Sequence, residues 1–179
     1  PRTTAVFDVH SIGLVQLASR LNHGVDAASN PIGEPTRLVI GVGANPAAVN
    51  LDEEVRRVEY KVDAGAEFCM TQPVYDVLLL ERFLERTRHC RIPTLAGILP
   101  LASYRNAEFL HEEVPGMSVP LEVRERMRRA GTGDGARAEG IAIAREALAA
   151  CRHLVQGAYI MPPLGRYRSA IEVIEGIVR

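Results

Sequence analysis

A chain of 179 residues, 47% hydrophobic and 24% charged with a formal net charge of −1, has the size and balance of one globular domain. That balance excludes disordered, collagen-like and coiled-coil chains, and the near-neutral charge excludes a basic nucleic-acid-binding surface. No apolar run approaches the ~18–20 residues of a membrane span, and the amino terminus lacks the basic-then-apolar pattern of a signal peptide. A cytoplasmic protein is expected, with neither nucleic acid nor membrane as partner. Cys69, Cys90 and Cys151 have no C-x-x-C spacing, so neither a disulfide framework nor a zinc site is indicated.

Short β-rich runs alternate with longer helical patterns, the signature of a parallel sheet with crossover helices. A helix comes first: Ile12, Leu14, Val15, Leu17, Ala18 and Leu21 recur at helical spacing, with Asn22 and Gly24 as the stop. A polar loop over 26–36 leads to a first strand at 37–43 (RLVIGVG), an apolar run of the kind buried on both faces. Asn50 with Glu53 three residues on predicts a capped helix whose stripe is Val55, Val58 and Val62, ending at Gly65. A second strand is predicted over 66–71. Asp76 then caps a helix with Leu80, Phe83 and Leu84 on its inner face.

The third strand, 94–99, stops at Pro100, and a helix follows from about Ser103 to His111. Pro120 begins another at its first turn. The run Gly131-Thr132-Gly133-Asp134-Gly135 reads as a flexible loop before a further helix from about Arg137. A fourth strand, 157–161, is broken by Pro162-Pro163, and a last helix carries Ile171, Ile174, Ile177 and Val178. Four β-then-α units after one helix suit either an open doubly wound sheet or part of a (β/α)8 barrel. Both put function at the carboxyl ends of the strands, which here means Asn45 and Pro46, residues 72–76, 100–105 and 162–167.

Motifs separate these further. Gly41-Val42-Gly43 follows a strand, but Asn45-Pro46 stands where a dinucleotide fingerprint needs its third glycine. Nothing matches a P-loop, an H-E-x-x-H metal motif or a serine-nucleophile elbow, so no metal ligand is assigned. More informative is K-V-D-A-G-A-E-F-C-M-T-Q-P-V-Y-D over 61–76. It delivers Gln72 to the mouth of the second strand, and an uncharged amide there can read the edge of a heterocycle with donors and an acceptor. An ordinary loop glutamine bonding nearby backbone is the competing interpretation.

This string resembles the corresponding stretch of methylenetetrahydrofolate reductases, flavoenzymes of one-carbon metabolism and methionine synthesis. Gly97-Ile98-Leu99-Pro100-Leu101, Arg105-Asn106-Ala107-Glu108-Phe109 and Leu164-Gly165-Arg166-Tyr167 follow in the family's order, and Thr4-Ala5-Val6-Phe7-Asp8 resembles the segment after its fourth barrel strand. T-Q-P-V-Y-D with R-N-A-E-F is most similar to the reductase half of bifunctional homocysteine S-methyltransferase/methylenetetrahydrofolate reductase chains. The resemblance implies an α/β fold, a partial (β/α)8 TIM barrel in which 1–179 form one domain: about the last four β/α units preceded by one helix.

The resemblance also implies an oxidoreductase that uses FAD and NAD(P)H to reduce 5,10-methylenetetrahydrofolate to 5-methyltetrahydrofolate. Gln72 matches a glutamine that contacts the pterin, Asn106 lies where the family often has a folate-contacting glutamine, and Arg166 matches a substrate-binding arginine. Lys61, the one lysine beside 20 arginines, matches a lysine near FAD. At other flavin positions a His-Pro appears as Asn45-Pro46, an aspartate as Glu54, an asparagine as Arg57 and an arginine as Tyr60.

The family's acidic residue on its first strand and its Gly-Asp segment at the end of the fourth would both precede Pro1. The expectation is therefore a carboxyl-terminal fragment holding no catalytic residue and inactive alone, since positioning and proton transfer each carry orders of magnitude in rate. The alternative is a non-catalytic half-barrel that binds folate or a partner chain. Either form is expected to associate, with itself or a partner, through exposed sheet edges. An aldolase-type barrel with Lys61 as Schiff-base amine fits poorly, because barrel chemistry belongs at strand ends and Lys61 falls in a helix.

Overall fold

The computed structural model describes residues 9–175 and 177. Residues 4–8 and Val178, named above, lie outside them. Helix α1 (Ser11–Asn22) precedes four strands, β1 (Gly41–Ala44), β2 (Phe68–Pro73), β3 (Thr94–Ile98) and β4 (Gly157–Ile160), which form one parallel sheet in the order β1-β2-β3-β4. Helix α2 (Leu51–Asp63) joins β1 to β2, and α3 (Val77–Thr87) joins β2 to β3. Three helices, α4 (Tyr104–Glu113), α5 (Leu121–Arg129) and α6 (Gly133–Cys151), cross from β3 to β4, and α7 (Tyr167–Ile174) follows. This is the chain order and strand order of consecutive β/α units of a barrel. Among the described residues no helix is long and apolar enough to cross a membrane.

Caps set the helix starts. Asn50 accepts from the Glu53 N–H, Asp76 from Leu78 and Ser103 from Asn106, each satisfying a first-turn donor that has no partner inside the helix. Val55 and Val58 of α2 and Leu80 and Phe83 of α3 are buried, as their spacing requires. Val58, Leu80 and Phe83 meet Ala44, Cys69, Ala96 and Ile98 from alternate strand positions in one cluster, which α6 completes with Ile141, Ala144 and Leu148. Full burial of a side chain such as Leu80 or Phe83 contributes ~1.5–3 kcal/mol. A satellite core of Leu101, Ala107, Val119, Met127, Ala136 and Ile143 binds α4 and α5 to α6.

Among the described residues the other sheet face stays open. Gly41 and Gly43 are exposed on it, and Phe68, Met70, Leu95 and Tyr159 are half-buried.

Several boundaries differ from the sequence expectation. The first strand begins at Gly41, not at 37, and Leu38 and Val39 are 46% and 75% exposed. A strand needs a paired neighbour, and β2 begins only at Phe68, opposite Gly41. The second strand likewise starts two residues later than its apolar run and extends to Pro73. Pro120 is the N-cap of α5, one place before the first turn.

The supposed flexible loop at 131–135 is largely the start of α6, with Thr132 as N-cap. Gly135 is there for space: a Cβ would lie 2.8 Å from the Ala130 carbonyl oxygen. In α7 the buried residues are Ser169 and Val173, while Ile171 and Ile174 are exposed. The face is fixed by Arg145 of α6, whose guanidinium donates to the Glu172 carbonyl at 2.5 and 2.8 Å.

One close approach holds the helix layer against the mouth of the sheet. A Cβ at Gly140 of α6 would stand 1.8 Å from the Leu101 carbonyl oxygen and 2.8 Å from its carbon. The obstacle is backbone, which cannot swing aside. Gly140→Ala gains about 1 kcal/mol of helix propensity but overpacks this contact, a loss of up to about 3 kcal/mol. The expected result is a net destabilisation of about 2 kcal/mol, seen as a lower urea midpoint at unchanged slope. An unchanged midpoint would refute the contact.

Candidate functional site

Because all four strands are parallel, their carboxyl ends share one edge, and each delivers a polar residue there. Gln72 is the last residue but one of β2, exposed beside the buried Thr71. The pairing of β2 with β3 is irregular between Met70 and Pro73. A bulge of this kind re-aims a side chain and locally interrupts the ladder.

Beyond β3, Asn106 sits in the first turn of α4. Its Oδ1 accepts from the Ala102 N–H at 3.1 Å, and its own N–H donates to Ser103 Oγ at 3.1 Å. The side-chain acceptor is thus occupied by the cap, and the amide NH2 is the group left to face a ligand. Beyond β4, Arg166 is exposed at the N-cap of α7. It lines a cavity of about 340 Å³ with Leu101, Asp134, Arg137 and Ser169. Arg137 is paired with Glu172. Gln72, Asn106 and Arg166 therefore share one end of the sheet, and no hydrogen bond joins any two of them among the described residues.

The positions at β1 and α2 form a different cluster. Glu54 and Lys61 are seven residues apart on one face of α2, and both are buried. Glu54 Oε1 accepts from the Asn45 N–H at 2.9 Å, while Lys61 Nζ donates to the Gly43 carbonyl at 2.6 Å. Together they hold the carboxyl end of β1. Asn45 spends its side chain on the Gly116 carbonyl (2.8 Å) and the Ala47 N–H (3.0 Å). Arg57 lies exposed, 3.6 Å from Glu54, and Tyr60 is 57% exposed.

A flavin pyrophosphate needs free cations and N–H donors. Here the lysine ammonium is bound to a strand carbonyl, a buried carboxylate stands in the same cluster, and the asparagine amide is engaged. Arg57 is the one exposed cation of these five residues, and as arranged in this chain Asn45, Glu54 and Lys61 do not form a phosphate cradle.

Burial pulls the Lys61 ammonium below the ordinary lysine value, with the Glu54 carboxylate opposing the shift. Burial also pushes the Cys69 thiol up to about 11, which keeps it unreactive at neutral pH. Among the described residues no group of three or more histidine, cysteine, aspartate or glutamate side chains could hold a metal ion.

Sequence reasoning passed over Tyr159, which stands on the open face of β4 paired with Gly97 of β3. Its phenol lies against Gly97, where a Cβ would be 2.9 Å from the hydroxyl oxygen. The readable signal was a glycine in the middle of a strand, which often marks close approach by another group.

Lys61 makes a pH prediction. Its folded pKa is lowered, so between that value and about 10.5 the unfolded chain binds the extra proton. Stability contributed by this group therefore rises with pH through that window. Urea unfolding at pH 8 and pH 10.5 should show the wild type gaining stability relative to Lys61→Met as pH increases. A constant difference between the two proteins would contradict the assignment.

Comparison with known proteins points to one family. A sequence profile for methylenetetrahydrofolate reductase matches residues 24–163. A probable methylenetetrahydrofolate reductase (NADH) of Oryza sativa subsp. japonica is 32% identical over 84 residues, 46% of this chain and 14% of the relative. Methylenetetrahydrofolate reductase 1 of Schizosaccharomyces pombe is 27% identical over 123 residues, 65% of this chain and 20% of the relative. The chain thus matches a fifth or less of either relative's length.

Among solved structures, an uncharacterised Clostridium thermocellum protein that binds two copies of 5-methyl-5,6,7,8-tetrahydrofolic acid superposes with a TM-score of 0.58 at 19% identity. That match covers 77% of this chain and 51% of the neighbour. It supports the fold, an α/β layer consistent with part of a barrel.

Proposed function

This chain belongs to the methylenetetrahydrofolate reductase family, and we propose that it supplies the folate-binding side of that family's barrel. The observation that carries the proposal is the placement of Gln72, Asn106 and Arg166 at one end of a single parallel sheet, beside an open face. Gln72 offers two donors and an acceptor, enough to read a pterin edge without adding charge. Asn106 adds amide donors, because its oxygen is held by the Ala102 N–H. Arg166 presents a planar fork suited to the carboxylates of the glutamate tail, next to a cavity of about 340 Å³.

The overall activity proposed for the assembled enzyme is the family's reduction of 5,10-methylenetetrahydrofolate to 5-methyltetrahydrofolate with FAD and NAD(P)H. The residues of this chain contribute binding and orientation. Hydride delivery and protonation of the leaving nitrogen are assigned to no residue of it. A non-catalytic half-barrel that binds folate is the alternative, and the prior engagement of Asn45, Glu54 and Lys61 favours it. Flavin absorbance of the purified chain separates the two: a stoichiometric yellow complex would exclude the alternative.

Calorimetric titration with 5-methyltetrahydrofolate, and with a pterin lacking the glutamate tail, tests the assignment. Gln72→Ala should weaken both ligands, about tenfold for the loss of hydrogen bonds worth ~1–1.5 kcal/mol. Arg166→Ala should weaken the glutamate-bearing ligand alone. Equal effects of Arg166→Ala on both ligands, or no effect of Gln72→Ala, would refute these roles.

A further inference from the structure

We infer that the Tyr159 hydroxyl aims the Gln72 amide, making Tyr159 a positioning residue for ligand recognition on the open face of the sheet. The inference rests on the role given to Gln72 above.

Gln72 sits inside the irregular stretch of the β2–β3 pairing, between Met70 and Pro73. Hydroxyl groups hold the peptide carbonyls on both sides of its Cα. The Thr71 carbonyl accepts from the Tyr159 hydroxyl at 2.5 Å, and the Gln72 carbonyl accepts from the Thr71 hydroxyl at 2.8 Å. Thr71 Oγ1 in turn accepts from the Gly97 N–H at 3.0 Å, and the Val74 N–H bonds the Gly97 carbonyl at 2.9 Å. The two strands are therefore bridged around Gln72 through Gly97. Once both flanking peptide planes are fixed, the backbone torsions of Gln72 are fixed, and with them the direction in which its side chain leaves the strand.

The reach of Tyr159 depends on glycine. Tyr159 is paired with Gly97 on the neighbouring strand, and its phenol crosses that residue to reach β2. A Cβ on Gly97 would lie 2.7 Å from the Thr71 carbonyl oxygen and 2.9 Å from the Tyr159 hydroxyl, so any larger residue would occupy the crossing. Burial raises the pKa of the Tyr159 phenol, which keeps it a donor at neutral pH. A tyrosine used only to fill the open face would need neither its hydroxyl nor the glycine beneath it.

Tyr159→Phe keeps the ring and removes the one donor. Binding of 5-methyltetrahydrofolate to the full chain should weaken about fivefold, the scale of one hydrogen bond. In a Gln72→Ala background the same change should have no effect, because the group being aimed is gone. The second readout needs no ligand. The Gln72 side-chain amide signals, identified by their loss in Gln72→Ala, should shift and broaden in Tyr159→Phe.

Unchanged amide signals would overturn the inference, as would equal losses of affinity in both backgrounds. A wild-type chain that binds no folate would refute the proposed function. The amide signals would still decide the inference in that case, shifting if Tyr159 aims Gln72 and staying fixed if it does not.

Discussion

A parallel sheet needs both faces covered, because its crossover helices and its apolar strands leave no face that water can serve. Here the packed core takes Ala44, Cys69, Ala96 and Ile98 from one face, while the other presents glycines, half-buried apolar side chains and one tyrosine. In a closed barrel such a face turns inward and is filled by its own side chains. One-sided burial therefore fixes where everything else can be. The helix layer supplies the stability, the open face supplies surface without a partner among the described residues, and the strand ends where the two meet carry the polar residues. Gly140 and Gly97 serve the same arrangement from opposite sides, one letting a helix touch the backbone after β3, the other letting a phenol cross it.

The cluster at the end of β1 obeys a different physics. Two oppositely charged side chains are buried there, and each is satisfied by backbone, Glu54 by the Asn45 N–H and Lys61 by the Gly43 carbonyl. Buried charges cost several kcal/mol of desolvation unless paired and hydrogen-bonded, and the lowered pKa of Lys61 indicates that the cost is only partly offset. β1 is also an edge of the sheet, where unpaired strand groups invite association. A lysine seated on an edge carbonyl and a carboxylate on the next N–H blunt that edge. The same burial withdraws the Lys61 ammonium from a bound phosphate.

Much of this was legible in the sequence, and the limits have physical causes. Asn50, Asp76 and Ser103 announced their helices because a cap is a local bond between residues three or fewer apart. The stripes of α2 and α3 were readable because a helix repeats its buried face within its own length. The start of β1 was not readable, since residues 38–40 are as apolar as a strand, yet Leu38 pairs with the Asn22 side chain at the end of α1 and not with β2. The glycines at 131–135 suggested mobility, yet Gly135 is a packing residue whose obstacle, the Ala130 carbonyl, belongs to the C-cap of the previous helix. Gln72 was placed correctly at the mouth of β2. Its aim depends on Thr71, Gly97 and Tyr159, three residues spread over 88 positions of chain, and no local pattern records that.

We propose that folate is read at the carboxyl ends of β2, β3 and β4, beside the open face. The most direct measurement is a map of backbone amide shifts in the chain as 5-methyltetrahydrofolate is added. Shifts are expected at residues 70–73, 97–106 and 159–166. The opposite end of the sheet offers a larger hollow, about 750 Å³, lined by Phe83, Arg88, Cys90, Ile92, Thr94 and Gln156. Shifts confined to that end would contradict the claim.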